Sequence, residues 1–110
     1  MKKTISLRMT ERLKPRTCAR YLKALADPER LRIVECLQSG PKNVSELASA
    51  LRDELANVSH HLKVLRRVGL VLPHKQGKFV VYSLHPDVFR RERGADCLDL
   101  GCCRLQLGAG

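Results

Sequence analysis

The stretch from Asn43 to Gly69, NVSELASALRDELANVSHHLKVLRRVG, decides how the rest of the chain is read. Asn43 stands as a helix N-cap with Glu46 three residues on. This is the asparagine form of a capping box, in which each partner satisfies a backbone N–H that the helix end leaves open. Leu47, Ala48 and Leu51 give this helix one apolar face. A second helix is expected to begin at Asp53 or Glu54, whose carboxylate suits the positive helix end and accepts from its first N–H groups. Leu55, Val58, Leu62 and Leu65 then recur at i, i+3, i+7 and i+10, a narrow stripe facing inward. Ala56, Asn57, Ser59, His60 and Lys63 are left facing outward. Small, amide, hydroxyl, imidazole and ammonium side chains can meet base edges and phosphates without filling a groove. A merely solvated face normally carries more acid, whereas the acids here are confined to the start of the helix. Gly69 closes the helix in the left-handed conformation it tolerates best. Two helices and a tight turn, the second shaped for a groove, read as a helix-turn-helix.

Working outward, 110 residues allow one domain with a modest core. Twenty-one Lys and Arg against eleven Asp and Glu give a formal net charge of +10, which suits a polyanionic partner such as nucleic acid. No apolar run reaches the roughly 18 residues a membrane span needs. The basic N-terminus lacks the continuous apolar segment of a secretory signal, so a cytoplasmic location is expected. Five cysteines, an odd count in a reducing compartment, argue against a disulfide scaffold.

Residues 1–15 carry Lys2, Lys3, Arg8, Arg12 and Lys14, and read either as a frayed solvated arm or as a basic arm on DNA phosphates. A helix from Thr17 would show Cys18, Leu22 and Leu25 on its apolar face. Asp27 then caps a helix beginning at Pro28, lined by Leu31, Val34 and Leu37 with Ile33 beside them, and stopped by Gly40-Pro41. After Gly69 the period changes. Leu70-Val71-Leu72 and Phe79 to Leu84, joined through Gln76-Gly77-Lys78, predict a β-hairpin. Beside a helix-turn-helix such a hairpin is a wing. Lys75 and Lys78 at its tip either contact phosphates and the minor groove or simply keep the hairpin soluble. Pro86 is expected to start a short helix that runs to Arg93 and ends at Gly94. The remaining leucines, at 98, 100, 105 and 107, fit a short strand or an ordered tail, and the sequence does not choose. The expected class is mainly α with a small β-hairpin. The expected division is an arm (1–15), a DNA-binding domain (16–94) and a cysteine-containing tail (95–110).

At LADPERLRIVECL, VSELA, NVSHHLKVLRRVGLV and GKFVVYSL the chain resembles the ArsR/SmtB family of bacterial winged-helix regulators, from about Thr17 to Pro86. The resemblance implies a homodimer whose first and last helices form the interface. It also implies recognition helices in the major grooves of a palindromic double-stranded DNA operator, and release by a metal, metalloid or redox signal, with no cofactor needed for DNA binding. It places Asn57, Ser59, His60 and Lys63 on the DNA face and Lys75 and Lys78 on the wing. His61 reads as a structural, hydrogen-bonded histidine.

Family members sense through different sites on one scaffold. A cysteine pair in the helix before the recognition helix is absent, since SELASAL holds none, and His85, Asp87 and Glu92 lack the spacing of a zinc site on the last helix. Cys97, Cys102 and Cys103 remain, three thiols within seven residues. Thiolates suit soft ions such as arsenite, antimonite, cadmium and Cu(I), and a pyramidal As(III) takes three sulfurs. Gly101 lets the chain turn before the vicinal pair, and Arg104 is expected to favour the thiolates. Redox sensing and plain packing are the competing readings of this cluster. Cys18 and Cys36 fall on or beside apolar faces and read as fillers, with Cys18, on the helix expected at the dimer interface, also placed to complete a site with the tail of the other subunit. Cys36 lies one position from the pattern of persulfide-sensing relatives.

The reading is therefore a repressor released by a thiol-binding inducer, As(III), Sb(III) or another soft metal ion. The alternatives are a redox- or persulfide-responsive repressor and a ligand-independent DNA-binding regulator. An enzyme is not expected. Cys97 and Arg104 are separated by six residues rather than the five of a cysteine-based oxyanion loop, and no other nucleophile, base and oxyanion site assembles.

Overall fold

A computed structural model describes residues 14–108. Four helices lead: α1 (Pro15–Leu25), α2 (Pro28–Leu37), α3 (Val44–Leu51) and α4 (Leu55–Arg67), with the short strand β1 (Lys42–Asn43) before α3. β2 (Val71–Gln76) and β3 (Phe79–Leu84) follow, then β4 (Phe89–Glu92), β5 (Ala95–Asp99) and β6 (Arg104–Gln106). One antiparallel sheet has the order β1-β3-β2 and the other β4-β5-β6. The basic residues of the predicted arm before Lys14 lie outside the described residues.

Three helix ends follow local chemistry closely, whereas Glu54 at the start of α4 makes no side-chain cap. Asp27 accepts from the N–H groups of Glu29 and Arg30 at 2.9 and 3.2 Å, with Pro28 in the first turn where no N–H is missed. Asn43 and Glu46 form the reciprocal capping box, both bonds at 2.8 Å. At the end of α4 the Leu70 N–H reaches the Leu65 carbonyl and the Gly69 N–H that of Arg66, with Gly69 at φ 86°. This is the Schellman arrangement, sealed by Leu65 and Leu70 packed in the core.

The core gathers Tyr21, Ala24 and Leu25 from α1, Ile33, Val34 and Leu37 from α2, Leu47 and Leu51 from α3, and Val58, Leu62 and Leu65 from α4. Two expected stripes are corrected. Leu22 is 44% exposed and Leu31 38% exposed, while Tyr21 and Ile33 turn inward. Each helix has adjacent apolar residues that satisfy two overlapping helical stripes, and only packing against the neighbouring helices selects one. Leu55, the first residue of the predicted α4 stripe, is also exposed.

The wing hairpin pairs in register from Val71↔Leu84 to Gln76↔Phe79 around a two-residue turn, Gly77-Lys78. Gly77 has φ 65°, as a tight hairpin of right-twisted strands demands. β1 adds a third strand through Lys42↔Tyr82 and Asn43↔Val81, a pairing of two residues with no periodic signal in the sequence.

Beyond the wing the expected helix from Pro86 to Arg93 is corrected. A single turn at His85, closed by the Val88 and Phe89 N–H groups on the His85 carbonyl, feeds directly into β4. Arg93 and Gly94, at φ 49° and 76°, form the tight turn to β5. Gly94 thus serves a hairpin rather than a helix stop. The tail left undecided by the sequence is two strands, seated on the core by fully buried Leu98 and Leu100. Among the described residues no helix follows α4, so the last helix that the resemblance implies for the dimer interface is replaced here by a sheet.

Candidate nucleic-acid interface and cysteine cluster

Burying Val58, Leu62 and Leu65 orients α4 and leaves Ala56, Asn57, Ser59, His60 and Lys63 all exposed along its open face. The structure thus gathers the five predicted α4 residues on one surface. Asn57 Nδ2 donates to Asp53 Oδ1 at 3.0 Å, and the Glu54 N–H donates to the same oxygen at 2.7 Å. The Asn57 amide, and then this N–H, hold the Asp53 carboxyl below the ordinary carboxylate range. Asp53 is therefore an anion at the entry of α4 that ties up one N–H of Asn57, while the amide oxygen is not used by this bond.

His61 is half-buried, its Nδ1 3.2 Å from Arg30 Nη1. Arg30 also donates through Nε to the Ala24 carbonyl. A ring nitrogen facing a guanidinium accepts its N–H and so lacks a proton there. His61 thus joins α2 to α4. His60, next to it, points to solvent.

On the wing, Lys75 and Lys78 are exposed. Lys78 Nζ lies 6.0 Å from the centre of the Phe79 ring, which is itself 51% exposed. Together they give the wing tip two cations and an aromatic face.

The thiols are distributed differently from the predicted trio. The Cys18, Cys102 and Cys103 sulfurs all lie within 4.8 Å of one another, and Cys18 and Cys102 are paired as a disulfide across 84 residues. That one bond leaves Cys36, Cys97 and Cys103 free, so it is not the disulfide scaffold that the cysteine count argued against. Its cause is the chain reversal after β5: Leu100 is buried and its N–H bonds the Cys103 carbonyl at 2.9 Å. Gly101, at φ 92° and bonded to Asp99 Oδ1, starts the turn that projects Cys102 toward α1. Cys103 Sγ sits 3.8 Å from Cys102 Sγ and is exposed. Cys97 is not in the group. It is buried on β5, opposite Arg90 and Gln106. Cys36 is a half-buried free thiol packed against the core.

Of the three tail thiols it was expected to favour, Arg104 interacts with Cys97. It bonds Glu92 at 3.0 Å and lies 3.6 Å from Asp99. Glu92 first, then Cys97 and Asp99, push its guanidinium pKa up. The tail sheet has a second attachment at the end of α2. Buried Gln38 donates through Nε2 to Asp96 Oδ2 and to the Gly108 carbonyl, both at 3.0 Å, and its own carbonyl accepts from Arg91 at 2.6 Å. Sequence reasoning missed this contact, which joins residues 58 and 70 positions apart. It gave Cys18 only a secondary place, beside the tail of the other subunit, whereas the tail that reaches Cys18 here is the chain's own.

Residues 25–74 match the family described as "Helix-turn-helix domain". The chain is 48% identical over 67 residues to the HTH-type transcriptional regulator NmtR of Mycobacterium tuberculosis, covering 61% of this chain and 56% of that protein. It is 45% identical over 67 residues to the arsenical resistance operon repressor of Escherichia coli, covering 60% of this chain and 57% of that protein. The chain thus spans little more than half the length of these two relatives. The solution structure of the homodimeric winged helix-turn-helix DNA-binding domain of a possible ArsR-family regulator from Mycobacterium bovis superposes with a TM-score of 0.64. That match has 30% identity and covers 78% of each chain. With its capped helix-turn-helix, its wing and these relatives, the chain belongs to the ArsR/SmtB family of winged helix-turn-helix transcriptional regulators.

Proposed function

We propose that this chain is a homodimeric transcriptional repressor that binds a palindromic operator through α4 and the wing and is released by a thiol-binding inducer. In this reading Ala56, Asn57, Ser59, His60 and Lys63 meet base edges and phosphates in the major groove, and Lys75 and Lys78 meet the backbone beside it. The formal net charge of +10 supports a binding free energy dominated by counterion release. A homodimer is supported by the homodimeric neighbour from M. bovis.

The observation that carries the inducer is the clustering of the Cys18, Cys102 and Cys103 sulfurs within 4.8 Å. Three soft donors at one point suit a trivalent thiophilic metalloid. One arsenous acid and three thiols give three As–S bonds and three waters, with no change of oxidation state. A relative whose name is arsenical resistance operon repressor supports the same class of inducer. Cys97, which the sequence placed among the ligands, has no part in this arrangement. Native mass spectrometry of the reduced chain with arsenite tests it. One arsenic per chain is expected, lost in Cys18→Ser and in Cys103→Ser but kept in Cys97→Ser. Retention in Cys18→Ser contradicts the three-sulfur site.

The Cys18–Cys102 bond favours a second reading, a redox-responsive repressor. The two readings exclude each other at any instant, because the disulfide consumes two of the three ligands. Arsenite uptake that appears only after reduction supports both as states of one site.

A further inference from the structure

Two non-glycine residues among those described have positive φ, and one of them stands in the helix-turn-helix turn itself. Arg52, at φ 54° and ψ 48°, is the left-handed cap of α3, its N–H closing on the Ala48 and Ser49 carbonyls. A side chain crowds the carbonyl in this conformation, so glycine or asparagine is the natural occupant. The chain instead places a long cation there. The Arg52 side chain is exposed and forms no ion pair or hydrogen bond among the described residues, although Asp53 and Glu54 follow it directly. The Asp53 carboxylate is already engaged by Asn57 and the Glu54 N–H. Through that bond the turn lies against the first exposed residues of α4, at the end of the helix where Ala56 and Asn57 begin the open face.

We propose that Arg52 binds a DNA backbone phosphate from the helix-turn-helix turn. Local strain at one residue is tolerated where the side chain it positions has a role. A guanidinium offers a planar fork of donors matched to phosphate oxygens. Its charge also offsets Asp53 and Glu54, which would otherwise face the polyanion at the point where α4 enters the groove. Together with Lys75 and Lys78 on the wing, Arg52 fixes α4 from both sides. This assignment rests on the DNA-binding reading above.

The test uses the full chain under reducing conditions. The probes are a duplex from the region upstream of its own gene and an unrelated duplex of equal length, each across a range of KCl. Arg52→Gly relieves the backbone, so its unfolding midpoint in urea should rise. Its affinity for both duplexes should nevertheless fall by the same factor, roughly two- to fivefold for each subunit engaged. The slope of log affinity against log salt should shrink by about 0.9 for each subunit, about 1.8 for the dimer, as one phosphate contact is lost in each half. Arg52→Asn, which tolerates the left-handed conformation without the charge, should weaken binding likewise, and Arg52→Lys should keep the slope. Unchanged affinity and slope in Arg52→Gly and Arg52→Asn overturn the assignment while leaving the DNA-binding reading intact. Failure of the unaltered chain to bind either duplex overturns both.

Discussion

Asn57 and Lys78 make different kinds of contact, and their removal separates reading from anchoring. The Asn57 amide donates one N–H to Asp53 at 3.0 Å, which leaves its oxygen and second N–H for a base. Asn57→Ala is expected to flatten the preference for operator over unrelated duplex by about 1–3 kcal/mol, measured by competition binding. Lys78→Ala should weaken binding to every sequence alike and reduce the salt slope. A change of preference in that variant contradicts the wing assignment. Asp27 illustrates a residue whose role is purely structural. The Arg30 N–H holds its carboxyl below the ordinary range against the opposing effect of burial, with the Arg30 charge and the Glu29 N–H assisting. A lowered carboxyl pKa stabilises the fold above the ordinary value and ceases to as pH falls through the lowered one. Asp27→Ala should therefore cost about 1 kcal/mol at neutral pH in urea titrations, and the gap to the unaltered chain should narrow below about pH 4. Caps such as Asp27-Pro28 and Asn43/Glu46 were legible because donor and acceptor lie within three residues. The left-handed Arg52 was not, since nothing in RDE announces a turn without glycine or asparagine.

At the scale of elements, α3, α4 and the wing were readable because each carries its own period, with a capping box to start α3 and a glycine to end α4 and turn the wing. The exposed faces of α1 and α2 were misassigned by one or two positions, because Tyr21-Leu22 and Leu31 with Ile33 offer competing stripes that only the neighbouring helices resolve. Of the β4–β6 sheet the sequence offered a short strand in the tail only as one of two options, and β4 not at all, for a different reason. Phe89 to Glu92 is stabilised as a strand by pairing with Ala95 to Leu98, and by Leu98 and Leu100 filling the core from outside the helix-turn-helix. Gln38 is the polar end of that attachment. Gln38→Ala removes the donor to Asp96 and Gly108 and is expected to cost about 1 kcal/mol, since Asp96 keeps Arg91 at 3.4 Å and exposed Gly108 can turn to water. Hydrogen exchange should quicken in β5 and β6 well before it does in α3 and α4. Uniform quickening across the chain would show that the sheet is not held separately at this point.

Over the whole molecule, charge and fold class were legible from composition and from one 27-residue stretch, whereas the cysteine cluster was only half legible. Cys102 and Cys103 are neighbours in sequence, but Cys18 reaches them only because the tail folds back on α1 across 84 residues. That fold-back links the site to the DNA-binding surface. α1 packs on α2, whose Arg30 touches His61 of α4, so a change at the sulfurs has a continuous route of packed elements to the recognition helix. The most direct measurement is binding of the reduced chain to its upstream duplex during an arsenite titration, beside the same titration of Cys102→Ser. The unaltered chain should leave the DNA as arsenite rises, and Cys102→Ser should stay bound throughout. An unaltered chain that remains bound, or a Cys102→Ser chain released as readily, contradicts a repressor switched at Cys18, Cys102 and Cys103.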